Sequence, residues 1–280
     1  MAGEYMKKKF CKKRYIIPCI LILLLFPFCY WQNNAINITE YPYHSPKITG
    51  AWEGCRIVQI SDLHNKRFGK GQKRLVDSIK KCRPDYIVLT GDLVDSNRFD
   101  MAPARELVRE AVKIAPVYYI TGNHELWLDE ANYNSLLSML SEEQVVILKD
   151  ECETLTRNGD MIELIGLDDA SLRSTALNDL AKETTDHLRI LLSHEPQYFE
   201  KYCAQNVDLV LTGHAHGGQF ILPFVGPVVA PDQGLFPKYT QGSFERNGTT
   251  MLVSRGLGNS VIPVRLFNYP EIVCVELGKE

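Results

Sequence analysis

Five short apolar runs constrain the fold of this chain more than any other feature. Arg56–Ile60, Asp85–Thr90, Val117–Thr121, Leu188–Ser193 and Asp208–Thr212 are built mainly of Val, Ile, Leu and Tyr. Runs of this length, without polar alternation, suit strands buried on both faces. Between the first two lies KGQKRLVDSIKKCRP, where Leu75, Val76 and Ile79 share one helical face and Pro84 acts as a stop. Between the second and third, MAPARELVREAVKIAP repeats the pattern with Leu107, Val108, Ala111, Val112 and Ile114. Strand–helix–strand spacing of roughly 30 residues predicts parallel crossover units and an α/β fold. VVILKDECETLTRNGDMIELIGLDD departs from this rhythm. Its segments Val145–Leu148, Glu153–Arg157 and Met161–Gly166, with NGD as a turn, predict a hairpin-rich insertion.

Each run ends on residues able to bind a metal. The first gives SDLH (Asp62, His64), the second GDLVD (Asp92, Asp95) and the third GNHE (Asn123, His124). The fourth gives HEP (His194) and the fifth GHAH (His214, His216). In open α/β sheets the carboxyl ends of strands line the functional crevice, so these residues are expected to converge. Five of the seven histidines sit at these ends. Taken singly, each motif has a plain structural reading: an Asp before a helix is a cap, and Gly-Asn is a turn. All five, in order and each after a predicted strand, point to one site. Carboxylate, amide and imidazole donors without a thiolate favour Mn²⁺, Fe or Zn²⁺ over a cysteine zinc site or a Ca²⁺ cage. So many donors suit two ions bridged by a carboxylate, an arrangement that activates a bridging hydroxide and clamps a phosphoryl group.

Composition bounds the remainder. The net charge of −3 hides an asymmetry, because the first 15 residues carry six Lys/Arg against one Glu and leave about −8 for the rest. An acidic body gives no electrostatic reason to expect nucleic acid as a partner. The basic residues 1–15 lead into the uncharged run 16–31, IIPCILILLLFPFCYW. No small-x-small site follows it, so it reads as an uncleaved membrane anchor rather than a cleaved signal. Lys7–Arg14 would then stay cytoplasmic, placing the body outside a cell membrane crossed once. Residues 32–54 mix polar, Pro and Gly residues without a period and are expected to form a tether, with the folded domain spanning 55–280. Eight cysteines without a CxxC pair, five of them in the body, argue against a disulfide framework.

The order D-x-H, G-D-x-x-D, G-N-H-E, H, G-H-x-H resembles the calcineurin-like metallophosphoesterase superfamily over roughly residues 55–278. The tail LVSRGLGNSVIPVRLFNYPEIVCVEL and the segment GLFPKYTQGSF look like the membrane-anchored bacterial branch. That branch includes YkuE- and YaeI-type phosphoesterases and UDP-2,3-diacylglucosamine pyrophosphatases of the chlamydial kind. The resemblance implies a four-layer α-β-β-α sandwich of two mixed sheets flanked by helices. It assigns Asp62, His64, Asp92 and His216 to one divalent metal and Asp92, Asn123, His194 and His214 to another. Mn²⁺ or Fe is expected ahead of Zn²⁺. It makes His124 the proton donor to the leaving oxygen, oriented by Asp95. Gly91, Gly122 and Gly213 are expected to let the backbone turn sharply at the strand ends.

The implied activity is hydrolysis of a phosphoester or pyrophosphate bond, with a lipid-linked or cell-envelope phosphodiester as the expected substrate. A broad phosphatase, a nuclease-type phosphodiesterase and a non-catalytic scaffold are the competing readings. ILPFVGPVVAPDQGLFPKY follows the last histidines directly. It fits either an ordinary hairpin of the second sheet or a hydrophobic lip that accepts an acyl chain or rests on a membrane. Glu125 fits either an acceptor behind a ligand histidine or a helix-start carboxylate.

Overall fold

Residues alternating along the apolar runs face two different cores, as the two-residue period of a strand requires. The structure, a computed structural model, describes residue 18, residues 23–260 and residues 262–280. On β2 (Arg56–Ile60), Ile57 enters the core between the two sheets, whereas Val58 and Ile60 face the helices. On β8 (Leu188–Leu192), Ile190 and Leu192 point between the sheets and Leu191 points to the opposite helical layer. Strands buried on both faces explain why these runs lack polar alternation.

The first sheet is ordered β1 (Asn37–His44), β16 (Glu271–Gly278), β2, β3 (Tyr86–Thr90), β4 (Val117–Ile120) and β5 (Val146–Ile147). The second is β14 (Gly242–Arg246), β15 (Thr249–Val253), β9 (Leu209–Thr212), β8, β7 (Asp160–Gly166) and β6 (Glu151–Arg157). Both are mixed: β16 runs antiparallel to β2 and β14 to β15, while β2–β3–β4 and β7–β8–β9 are parallel. Helix α1 (residues 23–34) precedes β1. Helices α2 (Lys73–Cys82), α3 (Ala102–Ala111) and α5 (Glu130–Glu142) supply residues to the core on the outer face of the first sheet, and the one-turn helix α4 (Asn123–Leu126) sits at the site. Helices α6 (Ala176–Leu180) and α7 (Phe199–Cys203) cover the second sheet. The result is the expected four-layer sandwich. Gln59 on β2 ties the sheets together at depth, its Nε2 donating to Thr90 Oγ1 at 2.9 Å and to the Thr212 carbonyl at 2.8 Å. Two small hairpins, β10 (Ile221–Leu222) with β11 (Gly226–Pro227) and β12 (Val229–Ala230) with β13 (Gly234–Leu235), leave the body after β9.

Three expectations need correction. The expected hairpin forms, β6 pairing antiparallel with β7 around Asn158–Gly159, but it is no insertion: the segment is the crossover between sheets, β5 ending the first and β7 pairing in parallel with β8 inside the second. The expected tether is part of the body. Residues 37–44 form β1, an edge strand parallel to β16, and Tyr43, Ile48 and Trp52 join the core between the sheets. Pro42 disguised this strand, because a residue without an N–H is tolerated at an edge and read as a breaker elsewhere. Finally, the glycines at the strand ends do not all turn the chain. Only Gly91 has a left-handed φ, +85°, whereas Gly213 serves by lacking a side chain: a Cβ there would lie 1.9 Å from Ser61 Oγ.

The basic residues 1–15, with 16, 17 and 19–22 of the expected anchor, lie outside the described residues. Among the described residues no helix is long and apolar enough to cross a membrane. None of the described cysteines is paired.

Candidate metal centre

All nine residues singled out at the strand ends are buried in one place between the carboxyl ends of β2, β3, β4, β8 and β9. The backbone is bent hard to achieve this. Asp62, His64, Asp92, His214 and His216 all take left-handed conformations, with φ of 53°, 44°, 53°, 62° and 48°. Each such residue costs roughly 1–2 kcal/mol in an L-amino acid, so the surrounding structure must hold it there. Main-chain contacts do so: the N–H groups of Asp62 and His64 donate to the carbonyls of Gly91 and Asp92, at 3.1 and 3.0 Å.

Glu125 performs the same task at the next pair of turns. Its buried carboxylate accepts the N–H groups of Asp92, Leu93 and Val94 at 2.8, 2.8 and 3.3 Å, and that of Gly122 at 2.7 Å. It is therefore the helix-start carboxylate, capping α4 through the Gly122 N–H, and it also staples the β3 turn to the β4 turn. Burial and the neighbouring Asp92 charge push its carboxyl up to about 8, against the opposing pull of the N–H groups.

The donor atoms meet in two groups that share Asp92. Asp92 Oδ2 lies 3.4 Å from His64 Nε2 and 3.3 Å from His194 Nε2. On the first side, His64 Nε2 is 3.2 Å from His216 Nε2, and His216 Nε2 is 3.8 Å from Asp62 Oδ1. On the second, Asn123 Oδ1 is 3.0 Å from His194 Nε2 and 2.8 Å from His214 Nδ1, and those two nitrogens are 3.2 Å apart.

Hydrogen-bond partners identify which ring nitrogens carry lone pairs here. His194 Nδ1–H donates to the Thr90 carbonyl at 2.8 Å, which leaves Nε2 as the acceptor in the neutral ring a cation would select; in the metal-free protein, and against burial, the Asp92 carboxylate holds this imidazole well above its usual range. His214 Nε2–H donates to Asp232 Oδ2 at 3.0 Å, which leaves Nδ1 as an acceptor. Lone pairs from two imidazoles, an amide oxygen and a carboxylate therefore converge at depth, a donor set that cations satisfy and protein hydrogens do not. Burial holds His64 neutral, its pKa pushed down to about 3, as a ligand imidazole requires.

His124 stands beside this cluster, its ring centroid 4.6 Å from that of His64. The expected Asp95 pairing is not a hydrogen bond: Asp95 Oδ1 is 3.8 Å from His124 Nδ1. Instead, Nδ1 accepts the Ser96 N–H at 3.2 Å, and Nε2 faces Ser260 Oγ at 3.1 Å. The Asp95 carboxylate is occupied elsewhere, accepting from Asn97 N at 2.9 Å and Arg98 Nη2 at 2.8 Å. Sequence reasoning also missed Asp232, Ser260 and the fully buried Arg265, whose Nη2 lies 3.5 Å from His216 Nδ1. All three come from the loops after β9 and β15, where no strand-end pattern marks them.

Comparison with known proteins agrees with this arrangement. The family model for calcineurin-like phosphoesterases matches residues 55–218. The uncharacterized metallophosphoesterase YkuE of Bacillus subtilis is 32% identical, over 89% of this chain and 87% of its own length. The chain belongs to the calcineurin-like phosphoesterase family. It is a metal-dependent phosphoester hydrolase, and two divalent ions are the family's complement. A second Bacillus subtilis relative, the uncharacterized metallophosphoesterase YkoQ, is 24% identical over 92% of this chain and 97% of its own. A zebrafish protein named as a transmembrane protein with a metallophosphoesterase domain is 29% identical over 82% of this chain and 55% of its own.

Proposed function

We propose that this chain hydrolyses a phosphodiester or pyrophosphate bond in a lipid-linked or cell-envelope compound, working at a membrane to which its N-terminal segment anchors it. One observation carries the substrate class. A cavity of about 200 Å³ opens beside His216 and is walled by Val229, Ala230, Pro231 and Ile262, with Gln219 and Ser260 at its polar edge. An apolar chamber touching a metal centre suits an ester whose organic half is hydrocarbon. The likeness to YkuE and the name of the zebrafish relative support the anchored branch. The acidic body speaks against a nuclease.

Asp62, His64, Asp92 and His216 would hold one ion and Asp92, Asn123, His194 and His214 the other. The position of Asp92 Oδ2 between His64 and His194 supports its bridging role. Two such ions, Mn²⁺ or Fe by the donor chemistry, supply Lewis acidity and an activated water. The chain's own contribution is the proton for the leaving oxygen. In the protonated His124 ring Nδ1–H can donate to Ser96 Oγ at 3.1 Å, and Nε2–H, which faces Ser260 at the edge of the apolar cavity, is the proton given to the leaving oxygen, leaving a neutral imidazole. The alcohol or phosphate that departs is thus the one lodged on that side. Asp95 acts on His124 indirectly, by fixing the turn that presents the Ser96 N–H.

The test is metal-defined hydrolysis by the full chain in detergent. A lipid-linked pyrophosphate and a soluble diester, bis(p-nitrophenyl) phosphate, are compared with a simple monoester. The lipid substrate should be preferred by at least about tenfold in kcat/KM. Equal rates on lipid and soluble diesters would remove the support for a lipid substrate.

A further inference from the structure

The apolar cavity opens onto a rim that is hydrophobic well beyond what a substrate needs. Residues 220–231 contain no charged side chain, and in 256–270 the single charged residue, Arg265, is wholly buried. The tip of the β10–β11 hairpin, the far end of β13 and the neighbouring 266–268 turn expose Phe224, Val225, Leu235, Phe236 and Phe267. Phe224 is fully exposed, and Leu235 and Phe236 are about 70% exposed. Helix α1 continues this surface with Phe26, Tyr30 and Trp31. The two are joined physically, since Phe28 lies edge-on to Phe267 at 5.9 Å and Trp31 to Tyr269 at 5.2 Å.

The backbone of the rim makes the exposure harder to dismiss. Phe224, Phe236 and Phe267 all have left-handed φ, 65°, 54° and 53°. A bulky residue there is an outlier, and glycine or asparagine would relieve the strain. The strain at Phe267 is partly offset by its contact with Phe28, but Phe224 and Phe236 gain little from packing within the chain, and a surface outside it would supply what is missing. Nor is the rim loosely attached. Gln219, buried one turn from His216, donates to the carbonyls of Ile262 and Val264 at 2.9 and 2.7 Å, and Phe220 bridges to Leu266.

The chain upstream of α1 indicates what covers this face. It reads IIPCILI from residue 16 to 22, preceded by six Lys/Arg within the first 15 residues. Apolar sequence preceded by basic residues is the composition of a segment held at a lipid bilayer, and α1, which packs on the rim, follows it directly in the chain. Asn33, near the end of α1, is fastened to the loop beside the metal centre: its Oδ1 accepts Asn259 Nδ2 at 2.9 Å and the Arg265 N–H at 3.1 Å.

We propose that the β10–β11 tip, the end of β13 and α1 lie in the interfacial layer of a lipid bilayer, with the cavity mouth facing the acyl chains. A lipid phosphoester then passes from the bilayer to the metal centre without crossing water. The passage of substrate rests on the phosphodiesterase reading above; the docking of the surface does not.

The experiment uses the full chain reconstituted in vesicles of phosphatidylethanolamine and phosphatidylglycerol, with and without brominated acyl chains. Phe224→Trp and Phe236→Trp report on the rim. Thr156→Trp reports on the far pole, where the adjacent Arg157 pairs with Asp85 ahead of β3 at 3.3 Å. Relative to the wild-type background, tryptophan at 224 and 236 should be quenched at least about twofold by brominated lipid, and tryptophan at 156 should not. Rim tryptophans that emit and quench like the one at 156 overturn the proposal. Quenched rim tryptophans on a protein that hydrolyses no phosphodiester would uphold the docking and overturn the substrate reading instead.

Discussion

The two halves of the metal centre are built from the same donor types but are supported differently. Around Asn123, each histidine has an acceptor behind it: the Thr90 carbonyl for His194 and the Asp232 carboxylate for His214. Such partners fix the ring, choose its tautomer and raise its basicity. Around Asp62 this support is missing. His64 Nδ1 is buried without a partner, and His216 Nδ1 faces the guanidinium of Arg265. A cation behind a ligand lowers its basicity and repels the ion in front of it. The lesson is that matching ligand sets need not make equal sites: the ion at the Asn123 half should be held more tightly.

Asp92→Asn tests what the halves share. Both ions should be lost together and turnover should fall by more than about 10³-fold, with metal analysis as the check; loss of only one ion would sink the bridge. His124→Ala lies outside both halves. It should slow turnover by about 10²–10⁴-fold while both ions remain bound, and unchanged turnover would remove its role as the acid.

Asp232→Asn should bring the halves closer to parity by weakening the ion at the Asn123 half about 10–100-fold, measured by competition with a chelator. An unchanged affinity there would mean that Asp232 does not tune the site. In the unaltered protein, limiting chelator should empty the Asp62 half first, a preference of about tenfold visible as unequal anomalous scattering from the two positions. Equal depletion would end the distinction between the halves.

The smallest effect concerns acid. Burial lowers the pKa of His64 from 6.5 to about 3 and also lowers that of His216. Between those limits the His64 imidazole binds more protons in the unfolded chain than in the folded one, so its contribution to stability is complete above pH 6.5 and lost as pH falls toward 3. Glu125 and Asp169, with pKa values raised to about 8 and about 7, act with the opposite sign, so the reading is a difference: from pH 7.5 to pH 5 the metal-free protein should lose more melting temperature, or gain less, than its His64→Gln variant. A melting temperature equally sensitive in both proteins would assign the acid lability to other groups.

Much of the centre was legible in the sequence because its members sit where apolar runs stop. A strand end is a physical address that composition marks plainly, as at Thr90–Asp92 and Thr212–His214. What supports the centre was not legible. Asp232, Ser260 and Arg265 arrive on loops whose position depends on the assembled second sheet, and no period announces them. The spacing puts Asp95 beside His124, at 3.8 Å, but cannot tell a carboxylate that bonds a ring from one that also fixes a nearby turn. Strand β1 was hidden by Pro42 and by polar residues facing solvent at a sheet edge.

That edge has a consequence for the order in which the molecule can be made. The last strand, β16, lies between β1 and β2, pairing with residues 37–44 on one side and 56–59 on the other. The opening segment therefore has no neighbour in the sheet until the final eight-residue strand has been synthesised. Contacts that span nearly the whole chain form slowly, and an edge left waiting invites wrong pairings. A nascent chain of this protein must keep residues 37–44 unpaired until residues 271–278 have emerged, so this sheet cannot close in the order in which its strands are made.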